Sequence, residues 1–243
     1  LSQIRTTFEA LEKKECRGLI PFITAGDPDL ETTRKLVPAL ARAGADIIEL
    51  GVPFSDPIAD GPVIQRASQR ALRQTPSIAA ILDAVKDMRR EVSVPIIIFS
   101  YLNPLLQFGV KRFAQAAAAA NVDGVLLTDL PLEESGDFAE ALSANGIDLI
   151  SLIAPTSSEN RLRLIANRAS GFLYAVSRTG VTGTRDNLSL ETEQLVTRVR
   201  AYTDLPVAVG FGISNAAQVA EVWRYADAAV VGSAIVLEIE KNL

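Results

Sequence analysis

The chain has 243 residues, a net charge of −5 and apolar side chains at nearly half its positions, enough to bury one large core. It carries no basic block, which excludes a nucleic-acid footprint. Its longest uncharged stretch, Val92–Val110, is broken by Pro95, Asn103, Pro104 and Gly109, so it reads as a strand and a loop rather than a membrane span.

Leu1–Glu15 mixes polar and apolar residues at helical spacing and lacks the pattern of a secretory leader. It reads as an extra helix covering the bottom of the fold, and a cytoplasmic location is expected, or the plastid stroma for a plant source. Leu at position 1 points to a processed or trimmed start. Short β-branched runs then alternate with longer helical patterns. The strands are expected at Leu19–Thr24, Ile47–Leu50, Pro95–Phe99, Gly124–Thr128, Asp148–Ile153, Phe172–Val176, Val207–Gly210 and Ala228–Val231. Helices are expected at Leu30–Ala43, Ser77–Arg90, Val110–Ala120, Leu132–Ala144, Ser158–Asn167, Glu191–Ala201 and Ala216–Arg224. Several strands, such as Ile96-Ile97-Ile98, are apolar on both faces, as a parallel sheet covered by helices requires. Asp29, Ser158 and Ser214 stand where helix caps belong, and Gly44, Gly146 and Gly171 follow helices. Eight strand–helix units in this length predict an α/β fold, a (β/α)₈ TIM barrel with an additional N-terminal helix, forming a single domain over residues 1–243; an open doubly wound sheet has a similar rhythm.

Histidine is absent and Cys16 is the single cysteine. That removes Ser-His-Asp and Cys-His catalysis, imidazole and cysteine-rich metal sites and internal disulfides, and no metal is expected. Proton transfer must then fall to Asp, Glu, Lys or Tyr. In a barrel of this kind the chemistry gathers at the carboxyl ends of the strands. There, Glu49 is a carboxylate inside an apolar strand, either half of a structural ion pair or a proton carrier whose affinity is raised by drying. Asp60 lies in Ala59-Asp60-Gly61-Pro62, which also reads as a plain turn, and Tyr174 is either site or core. Gly210-Phe211-Gly212-Ile213-Ser214 and Val231-Gly232-Ser233-Ala234 each set glycine at a strand end and serine near a helix start. Backbone amides there can approach an oxyanion and the helix end adds positive charge, so the pair is expected to bind phosphate. Ser177–Asn187, rich in glycine and threonine, is long enough for a mobile lid.

The run Ile48-Glu49-Leu50-Gly51-Val52-Pro53-Phe54-Ser55-Asp56-Pro57-Ile58-Ala59-Asp60-Gly61-Pro62 closely resembles the signature of the tryptophan synthase α subunit family. Ser177–Gly183, Gly210–Ser214, Val231–Val236, Phe22-Ile23-Thr24 and Thr128–Pro131 resemble it too, in order along nearly the whole chain. The resemblance implies retro-aldol cleavage of indole-3-glycerol phosphate to indole and glyceraldehyde 3-phosphate. It implies Glu49 and Asp60 as catalytic carboxylates beside Tyr174. Thr182, Gly183, Phe211, Gly212, Gly232 and Ser233 would hold substrate and phosphate, and Phe22, Phe99 and Ile153 would wall the indole pocket. It implies no cofactor in this chain, pyridoxal phosphate being expected in a partner β subunit, and an α₂β₂ heterotetramer whose contact loop includes Pro53 and Asp56. The family has a full last helix after the strand-8 motif, whereas this sequence stops at Leu243, which leaves the closing of the barrel as the open point. A stand-alone lyase releasing free indole, a non-catalytic activating subunit and another phosphosugar enzyme such as an isomerase are the competing readings.

Overall fold

A computed structural model describes residues 2–74, 76–177, 185–210 and 212–243, with backbone only for 185–189. Eight strands close into a barrel in chain order, each parallel to the next and the eighth beside the first. They are β1 (Gly18–Thr24), β2 (Ile48–Gly51), β3 (Ile96–Ser100), β4 (Gly124–Leu127), β5 (Asp148–Ile153), β6 (Leu173–Val176), β7 (Val207–Gly210) and β8 (Ala228–Val231). The helices are α1 (Gln3–Lys13), α2 (Leu30–Arg42), α3 (Pro62–Leu72), α4 (Ile78–Met88), α5 (Leu102–Phe108), α6 (Val110–Ala119), α7 (Gly136–Ser143), α8 (Glu159–Ala166), α9 (Arg185–Val199), α10 (Ala216–Val222) and α11 (Ser233–Lys241). The expected strands are all present to within a residue or so.

Local chemistry accounts for most helix starts. The side chains of Asp29 and Ser158 accept the backbone N–H groups of Thr32 and Arg161, each satisfying a donor that has no partner inside the helix. Ser214 is not a cap: Asn215 accepts from Gln218 instead, and Ser214 bonds the Gln218 side chain. α3, absent from the expected helices, starts with Pro62 in its first turn, where proline's missing N–H costs nothing. The helix expected over Leu132–Ala144 is split. A 3₁₀ turn at Leu132–Glu134 precedes α7, and the Ser135 hydroxyl donates to the Leu132 carbonyl at 2.7 Å. α9 begins at Arg185, so Arg185, Asp186 and Asn187 belong to a helix rather than to the loop expected to reach Asn187.

α1 covers the strand starts, as expected. Ile4 and Phe8 are its buried residues, and Phe8 lies 5.7 Å, centroid to centroid, from Phe172 at the foot of β6. A Cβ on Gly124, the first residue of β4, would come within 2.9 Å of Ile4, so the plug fits against bare backbone there. After β8 the nine-residue α11 packs on α3 and β1, and Val236 on it is fully buried.

Side chains alternate between the inside of the barrel and its helix-covered outside. Phe22 on β1, Glu49 on β2 and Ile97 on β3 stand in one register. Phe99, Leu126 and Ile150 form another, and Leu152, Tyr174 and Ala208 a third. The apolar members of these rows pack into one interior cluster. Two outer clusters fill the space between barrel and helices.

Candidate active site

Glu49 is a carboxyl group inside this apolar interior. It is fully buried, and neither carboxyl oxygen has a hydrogen-bond partner among the described residues. The ion-pair reading of Glu49 finds no support in that setting. Burial alone pushes its pKa up to about 8, because a charge taken out of water without a partner is far costlier than a neutral acid. At neutral pH Glu49 therefore holds a proton it can give away. Thr24 Oγ1, on the β1 residue in register with Gly51, is likewise buried and without a hydrogen-bond partner among the described residues.

Two glycines let aromatic rings lean across the interior above Glu49. The Phe22 ring passes over Gly51, where a Cβ would lie 2.5 Å from Phe22 Cζ. The Tyr174 ring passes over Gly210, where a Cβ would lie 2.0 Å from the phenol oxygen. Phe22 also meets Phe99 edge-on, with centroids 5.2 Å apart and planes at 76°. Tyr174 is almost fully buried, and its hydroxyl pKa is raised by burial and then by the charge that Glu49 can carry. Phe22, Phe99 and Tyr174 thus bound the space next to Glu49. Ile153 does not. It turns outward into the cluster with Leu162 and Ile165, and its neighbour Leu152 takes the inward position against Tyr174.

Asp60 stands in the loop between β2 and α3, held at both ends. Its amide donates to the Pro57 carbonyl at 3.0 Å, and its carbonyl accepts the Gln65 side chain at 2.9 Å. Its carboxyl pKa is raised to about 6 by burial, against the opposing influence of the Tyr101 hydroxyl, which favours the ionised form. Tyr101 follows β3 and was not among the expected site residues. Its hydroxyl also accepts the Ala59 amide at 2.9 Å, and its ring lies 5.1 Å from that of Phe54. In the same loop Pro53 is buried, while Asp56 is exposed and Ile58 is 87% exposed. Of the two residues expected to face a partner, only Asp56 is on the surface of this chain.

At the phosphate end, Gly232 precedes α11 with no side-chain cap, and Ser233 opens the helix on the surface. Among the described residues the first backbone N–H groups of α11 have no partner and can meet an anion. Gly232 is also close to the ring space, since its Cβ would lie 3.5 Å from Phe22. Gly212 has φ +84° beyond the end of β7. Thr182, Gly183, Phe211 and most of the expected lid lie outside the described residues. Among the described residues no group of three or more potential metal ligands exists, and no helix is long and apolar enough to cross a membrane.

Comparison with known proteins points one way. The family profile described as Tryptophan synthase alpha chain matches residues 8–243. The chain is 49% identical over 242 residues to the tryptophan synthase alpha chain of Solibacter usitatus, covering 100% of this chain and 91% of that one. It is 50% identical to the corresponding chain of Geotalea daltonii over 99% of this chain and 91% of that one. Among solved structures, tryptophan synthase subunit alpha from Legionella pneumophila superposes with a TM-score of 0.92 at 39% identity, covering 99% of this chain and 90% of that one. A structure titled as the tryptophan synthase a2b2 complex of Pyrococcus furiosus gives 0.86 at 40% identity, over 92% and 90%.

Proposed function

Because the chain belongs to the tryptophan synthase alpha chain family, we propose that Glu49 and Asp60 carry its lyase reaction. The reaction is cleavage of indole-3-glycerol phosphate to indole and glyceraldehyde 3-phosphate. The observation that carries the assignment is the unpartnered, proton-holding carboxyl of Glu49 in an apolar chamber walled by Phe22, Phe99 and Tyr174.

The carbon–carbon bond to be broken joins indole C3 to the carbon bearing the glycerol hydroxyl. Neutral Glu49 gives its proton to C3, which turns the ring into an electron sink with positive charge at its nitrogen. The resulting carboxylate takes the proton from that hydroxyl. The oxygen electrons form the aldehyde C=O, the C3–carbon bond breaks, and its electron pair restores the indole ring. Glu49 ends protonated, so one carboxyl serves as acid and then as base. Asp60, ionised above about pH 6, accepts a hydrogen bond from the ring N–H and stabilises the charge that develops there. Gly232, Ser233 and the start of α11 receive the phosphate, aided by Gly212 and, outside the described residues, by Thr182, Gly183 and Phe211. Leu152 supplies the wall position first expected of Ile153. None of these steps calls on a cofactor in this chain.

We further propose that the chain works beside a β subunit carrying pyridoxal phosphate, which consumes the indole. Asp56 and Ile58, exposed on the loop that ends at Asp60, offer a charged and an apolar contact within four residues of it. A partner gripping this loop would hold Asp60 more tightly, and an error of about 1 Å there costs on the order of 10² in rate. Adding a cognate β subunit is expected to raise indole formation strongly and to give a complex visible by sedimentation. Full activity alone, with no complex and no activation, would favour a stand-alone lyase.

A further inference from the structure

The loop after β1 contains a buried carboxylate with no part in the chemistry above. Asp27 has a side chain only 1% exposed, and Arg70 on α3 grips it with a two-pronged contact, Nε to Oδ1 at 2.7 Å and Nη2 to Oδ2 at 2.8 Å. The remaining prong, Nη1, reaches Glu240 on α11 at 2.8 Å. Arg66, one turn earlier on α3, holds the same glutamate with two contacts of 2.7 Å. These bonds hold the Glu240 carboxyl down to about pH 2, Arg66 contributing most. Arg70 is 14% exposed, and its fork saturates two carboxylates in fixed directions, which an ammonium cannot do.

The helices joined this way start at the two ends of the substrate site. α3 begins just after Asp60, and Gln65 in its first turns donates to the Asp60 carbonyl at 2.9 Å. α11 begins at Ser233, next to Gly232. Apolar packing runs alongside, with Val236 of α11 in one cluster with Ile64 and Ala67 of α3 and with Phe22. A shift of α11 relative to α3 must therefore strain the Arg70 fork or move the backbone that carries Asp60.

We propose that Arg70 is a positioning residue which locks α3 to α11 and to the β1 loop, so that the phosphate cradle and the Asp60 carboxylate keep a fixed separation. The proposal rests on the assignment of Asp60 and the α11 start made above. It makes Arg70 act on turnover through Asp60, without touching substrate.

A double-mutant cycle tests this. Arg70→Lys keeps the charge and loses the fork. With indole-3-glycerol phosphate as substrate it is expected to lower kcat about tenfold or more in the parent. In an Asp60→Asn background, where there is no carboxylate left to position, the further loss is expected to be less than about twofold. Glu240→Gln, which leaves the buried Asp27–Arg70 contact in place, is expected to weaken glycerol 3-phosphate binding and to show the same non-additivity. It also serves if Arg70→Lys fails to fold. Equal kcat losses in both backgrounds, or a lowered melting temperature with unchanged kcat and phosphate affinity, would reduce the network to a structural brace and overturn the proposal alone. Asp60→Asn with parental kcat would overturn the assignment of Asp60 and the proposal together.

Discussion

Tyr101 and Asp60 lie on different βα loops, yet the phenol hydroxyl accepts the Ala59 amide at 2.9 Å and, beside Asp60, favours the charged form of its carboxyl. That influence opposes the effect of burial, which raises the Asp60 pKa to about 6. With Glu49 at about 8, the productive pair, a neutral Glu49 and an ionised Asp60, exists between those values. The kcat/KM profile of the free enzyme should be a bell whose acid limb reports Asp60 and whose basic limb reports Glu49. Tyr101→Phe removes a hydroxyl that favours the charged form, so the acid limb should move to higher pH while the basic limb stays. An acid limb that does not move would separate Tyr101 from the ionisation of Asp60.

Burial of Glu49 also has a thermodynamic consequence. Its folded pKa is raised from 4.5 to about 8. The unfolded chain therefore loses this proton first as pH rises, and the folded state binds more protons throughout that window. The stability held by the neutral acid is fully present below the unfolded value and is lost as pH climbs toward about 8, with a slope near 1.4 kcal/mol per pH unit. Glu49→Gln, nearly isosteric, should flatten this dependence and make the variant more stable than the parent at pH 8. Denaturant titrations of both proteins across the window check it; parallel curves would mean that Glu49 is hydrated or paired in solution.

The start of α11 and the Gly51 gap make separate demands on substrate. Ser233→Asp places a negative charge where the phosphate is received, and should raise KM sharply with little change in the folded fraction. A KM within about twofold of the parent would place the phosphate elsewhere. Gly51→Ala pushes a methyl into the Phe22 ring and should cost about 1–3 kcal/mol of stability, with weaker binding of indole-containing ligands.

The sequence carried the barrel because its strands are short, apolar and regularly spaced, and because Glu49 is an acid in an otherwise apolar run. What it hid depends on long-range geometry. The β5 run Asp-Leu-Ile-Ser-Leu-Ile is apolar on both faces, so alternation alone could not tell that Leu152 points inward and Ile153 outward. Tyr101 follows β3 as an ordinary aromatic residue, and its tie to the Asp60 loop spans 42 positions. The Arg70 contacts reach 43 positions back and 170 forward, and no local pattern encodes them. Ser214 and Asn215 are equally good caps by residue type; only the backbone geometry chose Asn215, whose extended conformation aims its side chain at the Gln218 amide.

The most direct test of the account is the rate of indole release from indole-3-glycerol phosphate by the purified chain and its Glu49→Gln variant, each with and without a cognate β subunit. The parent should form indole and glyceraldehyde 3-phosphate in equal amounts. The variant should retain the parental fold and lose at least about 10²–10⁴ in turnover, as expected when a general acid–base group is removed. Turnover by Glu49→Gln close to that of the parent would contradict the account.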